Sequence, residues 1–254
     1  MKIVISPAKT LNYESALPFT TASTPAFLKE ARQIRKVLKE KSPAELMALM
    51  EISDKLAELN WQRNQSKSFG AKELGSHARQ AVYAFNGDVY VGLDAYTLSE
   101  EQLRVAQEKL RILSGLYGIL KPMDIIEPYR LEMGTQLQVG DFANLYAFWK
   151  EKVTRSLNKE LKKGEVLVNL ASQEYFGAIN AAALKAKVIT PEFKEFRNGK
   201  LSIISFFAKK ARGLMVRFIL DQGIENPEDL KKFNYEGYGF DSTLSTASKW
   251  VFTR

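Results

Sequence analysis

The chain has 254 residues, with 37 Lys and Arg against 29 Asp and Glu, which gives a formal net charge of +8. It contains no Cys and one His, His77. The missing thiols exclude thiol peroxidases, disulfide scaffolds and Cys-ligated zinc or iron–sulfur proteins, and one histidine excludes a multi-histidine metal site within the chain.

The length allows one large domain or two small ones, and the composition is ordinary for a globular protein. No window approaches the roughly 18 apolar residues of a membrane span, and the apolar run at the N-terminus is too short for a signal peptide. We therefore expect a cytoplasmic protein without membrane contact. The basic balance favours an anionic partner such as nucleic acid, a phosphorylated ligand or an anionic surface.

The first part of the chain predicts one strand followed by helices. Ser42, Pro43 and Glu45 form a helix start with a capping box. In order, the pattern predicts a buried strand at Lys2–Ile5 that stops before Pro7, a loop over 11–24, and helices between Pro25 and Leu59.

The rest of the chain alternates between helical and strand patterns. Asn198-Gly199 lies between two β-rich runs and predicts a hairpin. The predicted helices are Ala78–Ala84, Ser99 to about Leu113, one starting near Asp141, and Ala208–Leu220. The predicted strands are Val166–Leu170, Val188–Phe196, Leu201–Phe206 and Trp250–Phe252, with Asp88–Leu93 a strand or a buried turn. Interleaved helices and strands indicate a mixed α/β (α+β) fold.

The segment Leu113 to Gly118 is the first candidate binding element. Gly115-Leu116-Tyr117-Gly118 follows a predicted helix and precedes another apolar run. Exposed backbone N–H groups at such a turn bind phosphate well, and Lys121 and Arg130 would add attraction. This is the principle of a helix-hairpin-helix, although its usual glycine spacing is Gly-x-Gly. The alternative is a sharp, glycine-terminated helix turn.

A basic helix at Phe206–Leu220 is the second candidate. Between Phe196 and Leu220 there are six basic residues and no acidic one. Gly213 costs helix stability and so suggests close approach of a backbone or a ligand. The basic face predicts an anionic partner, or else pairing with acids elsewhere in the fold. Its cations are Lys209, Lys210, Arg212 and Arg217.

Polar residues that follow strands form a third set. Ligand sites of α/β proteins lie at the carboxyl ends of strands. Two of the residues also have a purely structural interpretation, Ser172 as a helix N-cap and Glu174 as an acid in the first turn of a helix. The residues are Ser6, Lys9, Asn169, Ser172 and Glu174, of which Lys9, Ser172 and Glu174 are the catalytic candidates if the protein is an enzyme.

Five ordered sequence blocks resemble the YaaA family of bacterial peroxide-stress proteins, over nearly the full length. The blocks are Ile5–Leu11, Phe85–Tyr90, Leu113–Gly118 with Pro128–Gly134, Asn169–Phe176, and Ala208–Gly213. The resemblance implies a single domain over 1–254, of unusual topology, with a positively charged cleft and a helix-hairpin-helix within about 100–127.

The resemblance also implies binding of double-stranded, bubble or junction DNA and a role in surviving hydrogen peroxide. That role is associated with DNA protection or repair and with limiting free intracellular iron. It gives no established catalytic residue, cofactor or metal ligand to transfer. From charge within the matching blocks, we assign Lys9, Arg130, Lys209, Lys210, Arg212 and Arg217 to the cleft.

Three functional hypotheses follow from these features. The first is DNA binding through backbone phosphates without sequence specificity, with cooperative self-association on DNA. The second is an enzyme that acts on a phosphorylated or nucleobase-containing ligand, favoured by a cavity that brings Lys9 near Glu174. The third is iron handling through carboxylates with His77, although no Glu-x-x-His pair supports it.

Overall fold

A mixed sheet with parallel strands in its middle organises the computed structural model, which describes residues 1–66, 69–70, 73–75 and 77–254. Its strands and those of two small two-stranded sheets are β1 (Lys2–Ile5), β2 (Thr10–Leu11), β3 (Arg79–Gln80), β4 (Phe85–Asn86), β5 (Leu110–Ser114), β6 (Gly118–Leu120), β7 (Ile125–Ile126), β8 (Val166–Leu170), β9 (Lys187–Arg197), β10 (Lys200–Ser202), β11 (Gly239–Asp241) and β12 (Lys249–Thr253).

Helices surround this sheet and connect most of its strands. They are α1 (Leu28–Lys39), α2 (Pro43–Met50), α3 (Asp54–Gln65), α4 (Ala81–Ala84), α5 (Asp88–Leu93), α6 (Glu100–Lys109), α7 (Leu145–Glu160), α8 (Gln173–Phe176) and α9 (Ser205–Asp221). Short 3₁₀ turns lie at Ala95–Thr97, Ala181–Ala183, Pro227–Lys232 and Tyr235–Gly237. Among the described residues, no helix is long and apolar enough to cross a membrane.

The strand order of the main sheet is β11-β12-β9-β8-β1-β5-β6, with β10 paired to β9. Strands β12, β9, β8, β1 and β5 run parallel, while β6, β10 and β11 are antiparallel to their neighbours. The mixed α/β prediction is therefore confirmed. Since β1, β5 and β8 are parallel neighbours, the chain leaves all three at the same edge of the sheet.

The middle strands are buried on both faces. Ile3, Val4 and Ile5 of β1 have no exposed surface, because helices cover the sheet on either side. Trp149 of α7 is also fully buried, and its indole N–H donates to the Gly115 carbonyl at 2.8 Å. Buried apolar side chains from both ends of the chain share this core.

Local sequence signals predict several elements correctly. Ser42 caps α2, accepting from the Glu45 backbone N–H at 3.3 Å while the Glu45 carboxylate accepts from the Ser42 N–H at 2.8 Å. Asn198 and Gly199 have φ values of 50° and 74°, as a two-residue hairpin turn between β9 and β10 requires. The other elements predicted correctly are β1, β8, β12, the helices between Pro25 and Leu59, and α9.

Other predicted boundaries are wrong where tertiary contacts override the local pattern. Asp88–Leu93 is a helix, because Val89, Gly92 and Leu93 pack along its buried side. Within the predicted helix Ala78–Ala84, Arg79–Gln80 pairs with β7 instead, so that only α4 is helical. The helix expected near Asp141 begins at Leu145, where the Asn144 side chain accepts from the Ala147 N–H at 3.0 Å.

The helix-hairpin-helix prediction at Leu113–Gly118 is wrong. Helix α6 ends at Lys109, and the following Leu110–Ser114 is strand β5, which pairs antiparallel with β6. Gly115, Leu116 and Tyr117 therefore connect two strands. They are buried with Leu113 and Gly118, so these five residues offer no open backbone for a phosphate. The apolar run 110–114 becomes a strand because it completes the parallel pairing with β1.

Helices α5 and α9 cross with their backbones in direct contact. A Cβ on Gly213 would overlap the Val89 carbonyl oxygen, and one on Gly92 would overlap the Lys210 carbonyl oxygen. The close approach predicted at Gly213 is confirmed, and the neighbour is a backbone. Two glycines allow this crossing because any larger residue would place side-chain atoms where the backbone of the other helix already lies.

Replacing Gly213 with Ala should destabilise the protein, because the clash is with a backbone that cannot rotate away. We expect Gly213→Ala to lower the free energy of unfolding by about 2 to 3 kcal/mol, which is about 5 to 10 °C in Tm for a chain of this size. Thermal unfolding followed by circular dichroism measures the shift. Gly239→Ala is the matched control, since nothing lies within 4 Å of its Cβ; equal melting temperatures for the two variants would contradict the packing argument.

Candidate functional site

A cavity of about 480 Å³ opens at the edge of the sheet where β1 and β8 end. Its size lies within the range of about 300 to 1,000 Å³ that small-molecule sites occupy. Its walls come from segments that are far apart in sequence: Ser6–Thr10, Asn86–Tyr90, Ser172 with Glu174 and Tyr175, and Lys209 with Arg212. Four of the five blocks that carry the family resemblance therefore meet here, and the fifth adjoins the cavity through Glu132 and Gly134.

Two serines join the loops that follow β1 and β8. The Ser172 backbone N–H donates to Ser6 Oγ at 2.9 Å, and the two hydroxyl oxygens are 3.3 Å apart. Ser172 Oγ also accepts from the Tyr175 N–H at 3.4 Å, which makes Ser172 the N-cap of α8. The N-cap alternative is thus confirmed, and both hydroxyls help to hold the cavity wall together.

Glu174 presents a fixed carboxylate to the cavity. Its Oε1 accepts from the Gly134 N–H at 3.0 Å, which ties α8 to the segment 128–134. Burial is the main cause that raises the pKa of Tyr146 and that of Tyr175, and the negative charge of Glu174 raises both further. Lys9 lines the same cavity, but its ammonium pairs with Glu132 at 2.7 Å. The structure therefore brings Lys9 and Glu174 to one cavity without joining them.

Lys209 and Arg212 place unpaired positive charge in the cavity. They lie three residues apart on α9, so both point to the same side of the helix. Within the described part of the chain, neither makes a hydrogen bond or an ion pair. Burial lowers the pKa of the Arg212 guanidinium, and Glu192 opposes this only through a longer-range attraction. A half-buried guanidinium with five free donors is a strong site for an anion.

The cavity also carries negative charge, so it is not uniformly basic. Asp88 lines it together with the α9 cations and makes no hydrogen bond or ion pair to any described residue. With Glu174 it provides two carboxylates beside the three cations Lys9, Lys209 and Arg212. Such a mixture can bind an anionic group at one end and donor groups at the other.

Arg130 lies in a smaller recess that adjoins the cavity at Lys9. Its guanidinium donates to Glu132 at 3.2 Å, and Glu132 therefore holds both Arg130 and Lys9. Since these two cations share one carboxylate, the recess retains an excess of positive charge. Arg130 thus lies beside the cavity, and its charge is partly compensated.

Besides Arg130, three of the predicted binding cations lie outside the cavity. Lys210 pairs with Glu236 at 2.5 Å, and Arg217 pairs with Asp221 at 2.9 Å. Lys210 and Arg217 therefore follow the alternative in which basic residues of this helix pair with acidic residues elsewhere in the fold. Lys121 follows β6 and lies at the opposite edge of the sheet, in a separate cavity that Arg111 also lines.

The remaining candidates contribute little to this site. Asn169 is buried in β8 and accepts from the Ala171 N–H at 3.0 Å, so it shapes the turn that leads to Ser172. His77 is an exposed turn residue. Among the described residues, no three His, Asp or Glu side chains are close enough to hold a metal ion.

Sequence reasoning missed the wall formed by Asn86, Asp88 and Tyr90. These residues stand in a quoted block, but their segment was expected to be a strand or turn without a site. The Tyr90 hydroxyl donates to the Ser6 carbonyl at 3.1 Å, and full burial raises its pKa well above the ordinary value. The available signal was the acid directly after Asn86-Gly87, which places a carboxylate at the start of α5.

A second, more open groove of about 590 Å³ runs along α7. Lys150, Arg155, Lys159 and Lys185 line it. Arg155 forms an ion pair with Glu151, and the Asn158 side chain bridges Ala183 and Lys185 through backbone hydrogen bonds. Among the described residues, Arg155 is the one cation of these four that pairs with an acid, and no block of the resemblance lies in the groove.

Replacing Arg212 with an apolar side chain of similar length should stabilise the free protein. We expect Arg212→Met to raise the free energy of unfolding by about 0.5 to 1 kcal/mol, because it removes a half-buried, unpaired charge. Urea denaturation measures the change. Lys210→Met, which breaks the pair with Glu236, is the control and should not stabilise.

The same two variants test the anion site directly. Pyrophosphate should raise the Tm of the wild type and of Lys210→Met, because a ligand that binds the folded state stabilises it. It should leave the Tm of Arg212→Met unchanged. An equal rise in all three proteins would show that the anion binds elsewhere.

Comparison with known proteins agrees with the resemblance. The model of a family described as peroxide stress protein YaaA matches residues 1–244. A UPF0246 protein of Flavobacterium johnsoniae is 60% identical over 254 residues, and one of Flavobacterium psychrophilum is 58% identical, each alignment covering both chains completely. A UPF0246 protein of Hahella chejuensis is 50% identical over 256 positions, which cover 100% of this chain and 99% of that one. The chain therefore belongs to the YaaA family of peroxide stress proteins.

Proposed function

We propose that the protein binds DNA in the response to hydrogen peroxide, by holding a backbone phosphate between Lys209 and Arg212. The observation that carries this proposal is the pair of unpaired cations on one turn of α9, inside a cavity. Phosphate contacts carry no base information, so binding is largely independent of sequence. Links to DNA protection or repair, and to the level of free iron, belong to this proposal.

The rest of the cavity supports a nucleotide as the bound unit. Its volume exceeds what one phosphate fills, and the surplus lies beside polar groups that suit a sugar and a base. Asp88 and Glu174 accept hydrogen bonds, while Asn86 can both donate and accept. Lys9 and Arg130, which share Glu132, flank this region and add attraction for the neighbouring phosphates.

Neutralising the two α9 cations should weaken binding to all DNA sequences alike. We expect Lys209→Gln with Arg212→Gln to lower affinity by at least about tenfold. It should also reduce the slope of log K against log salt by about 1, since the two cations hold one phosphate and each phosphate contact contributes about 0.9. Fluorescence anisotropy with two duplexes of unrelated sequence, at several salt concentrations, gives both quantities.

The matched control removes the same charge from another exposed surface. Lys36→Gln with Lys39→Gln on α1 leaves the same net charge as the test variant. The control should bind DNA with nearly wild-type affinity. If both double variants lose affinity equally, the effect is one of net charge and the assigned site is wrong.

An enzymatic function is the second candidate, because the cavity brings Lys9 and Glu174 to the same space. In this alternative the ligand is still phosphorylated or contains a nucleobase. Glu174, fixed by the Gly134 N–H, would act as general base, and Lys9 would stabilise negative charge that develops during the reaction. The binding residues Lys209 and Arg212 keep their role.

Glu174→Gln separates catalysis from binding. A glutamine oxygen can still accept from the Gly134 N–H, so the fold should be kept, whereas the general base is lost. We expect any turnover of nucleotides or oligonucleotides, followed by mass spectrometry, to fall by about 100-fold or more with binding unchanged. Glu40→Gln on the exposed surface is the control. Wild-type-like turnover in Glu174→Gln would exclude this role.

A further inference from the structure

The β9–β10 hairpin and the start of α9 expose a cluster of large apolar side chains, which we call the hairpin patch: Phe196, Leu201, Ile203 and Phe206. Their exposed fractions are 64%, 39%, 54% and 55%. Phe196 and Leu201 are directly opposite each other in the ladder, so they share one face of the hairpin. Contiguous exposed apolar surface of this kind marks a binding surface more often than a solvated one.

Positive charge surrounds the hairpin patch. Arg197 and Lys200 flank the turn, and no acidic residue occurs from Phe196 to Leu220. The Arg197 guanidinium lies 5.0 Å from the centre of the Phe207 ring, and that ring lies 5.4 Å from the Phe206 ring. Neither cation forms an ion pair with a described residue, and exposed rings beside such cations suit a partner that combines negative charge with flat apolar faces. A nucleic-acid strand with unpaired bases has both properties.

The hairpin patch borders the cavity. Phe206 precedes Lys209 by three residues on α9, so the two side chains lie on the same side of the helix, one turn apart. A strand whose phosphate lies on Lys209 and Arg212 can therefore place a neighbouring base beside Phe206.

We propose that the hairpin patch stacks on unpaired bases of the DNA strand held at the cavity, with Phe206 and Phe196 as the stacking rings. This inference rests on the proposed function, because it needs the phosphate at Lys209 and Arg212. It adds a second kind of contact, which is insensitive to salt and absent from an intact duplex.

Serine substitutions of the two rings test the stacking. Phe196→Ser with Phe206→Ser should lower affinity for a 15-nucleotide oligo(dT) by at least about tenfold, while affinity for a 15-base-pair duplex stays within about twofold. Affinity is measured by fluorescence anisotropy in moderately high salt, which weakens the phosphate contacts and leaves the stacking contribution. The control removes two exposed apolar side chains elsewhere, Val91→Ser with Leu244→Ser, and should bind both DNA forms like the wild type.

A direct readout uses Phe206→Trp. Stacking of a thymine on the new indole should quench its fluorescence, measured as the difference from the wild-type protein under the same titration. Circular dichroism melting of each variant confirms that the fold is kept. Unchanged affinity of the serine variant for oligo(dT), or equal loss for oligo(dT) and duplex, would overturn the stacking role alone.

Two further outcomes separate this inference from the proposed function. If wild-type protein binds neither DNA form, both proposals fail together. If the serine variant changes only the sedimentation of the free protein, from dimer to monomer, the hairpin patch serves a second copy of this chain and the stacking proposal is wrong. Loss of duplex binding in the Lys209 and Arg212 variant, together with a loss of oligo(dT) binding but not of duplex binding in the serine variant, would support both.

Discussion

The backbone contact between α5 and α9 is the constraint on which the cavity depends. Gly92 and Gly213 let the two helices approach more closely than any side chain would allow. Asp88 begins α5, and Lys209 and Arg212 lie on α9, so this crossing sets the positions of these three charged residues relative to one another in the cavity. A wider helix separation would move the cations away from the loops that follow β1 and β8.

The parallel sheet supplies the remaining walls by a different route. Strand β1 lies between β5 and β8, and their common direction brings the chain after each of them to one edge. Ser6 and Ser172 then join two of these exits, and Glu174 joins α8 to Gly134. Residues more than 160 positions apart in sequence thus form one rigid rim. The result is a walled cavity of mixed charge, which suits a nucleotide unit better than a smooth basic groove would.

Local chemistry in the sequence was enough to predict elements that depend on neighbouring residues. The capping box at Ser42, the positive φ values of Asn198-Gly199 and the period of α9 are all set within a few residues. The segment 110–118 shows where this approach fails. Its leucines and isoleucine suit a helix or a strand, and pairing with β1, more than 100 residues away, decides for the strand. The helix-hairpin-helix prediction was wrong because the local sequence does not show that long-range pairing.

The sequence by itself determined the number and sign of the charged residues, the absence of thiols, and the blocks that mark the family. It also determined that α9 would carry a basic face and a glycine in close contact with another chain segment. Only the tertiary structure decided which cations remain free. Lys210 and Arg217 meet acids, while Lys209 and Arg212 meet an open cavity, although all four stand within nine residues of one helix. The physical reason is that ion pairing depends on distances of a few ångströms between groups that only folding brings together.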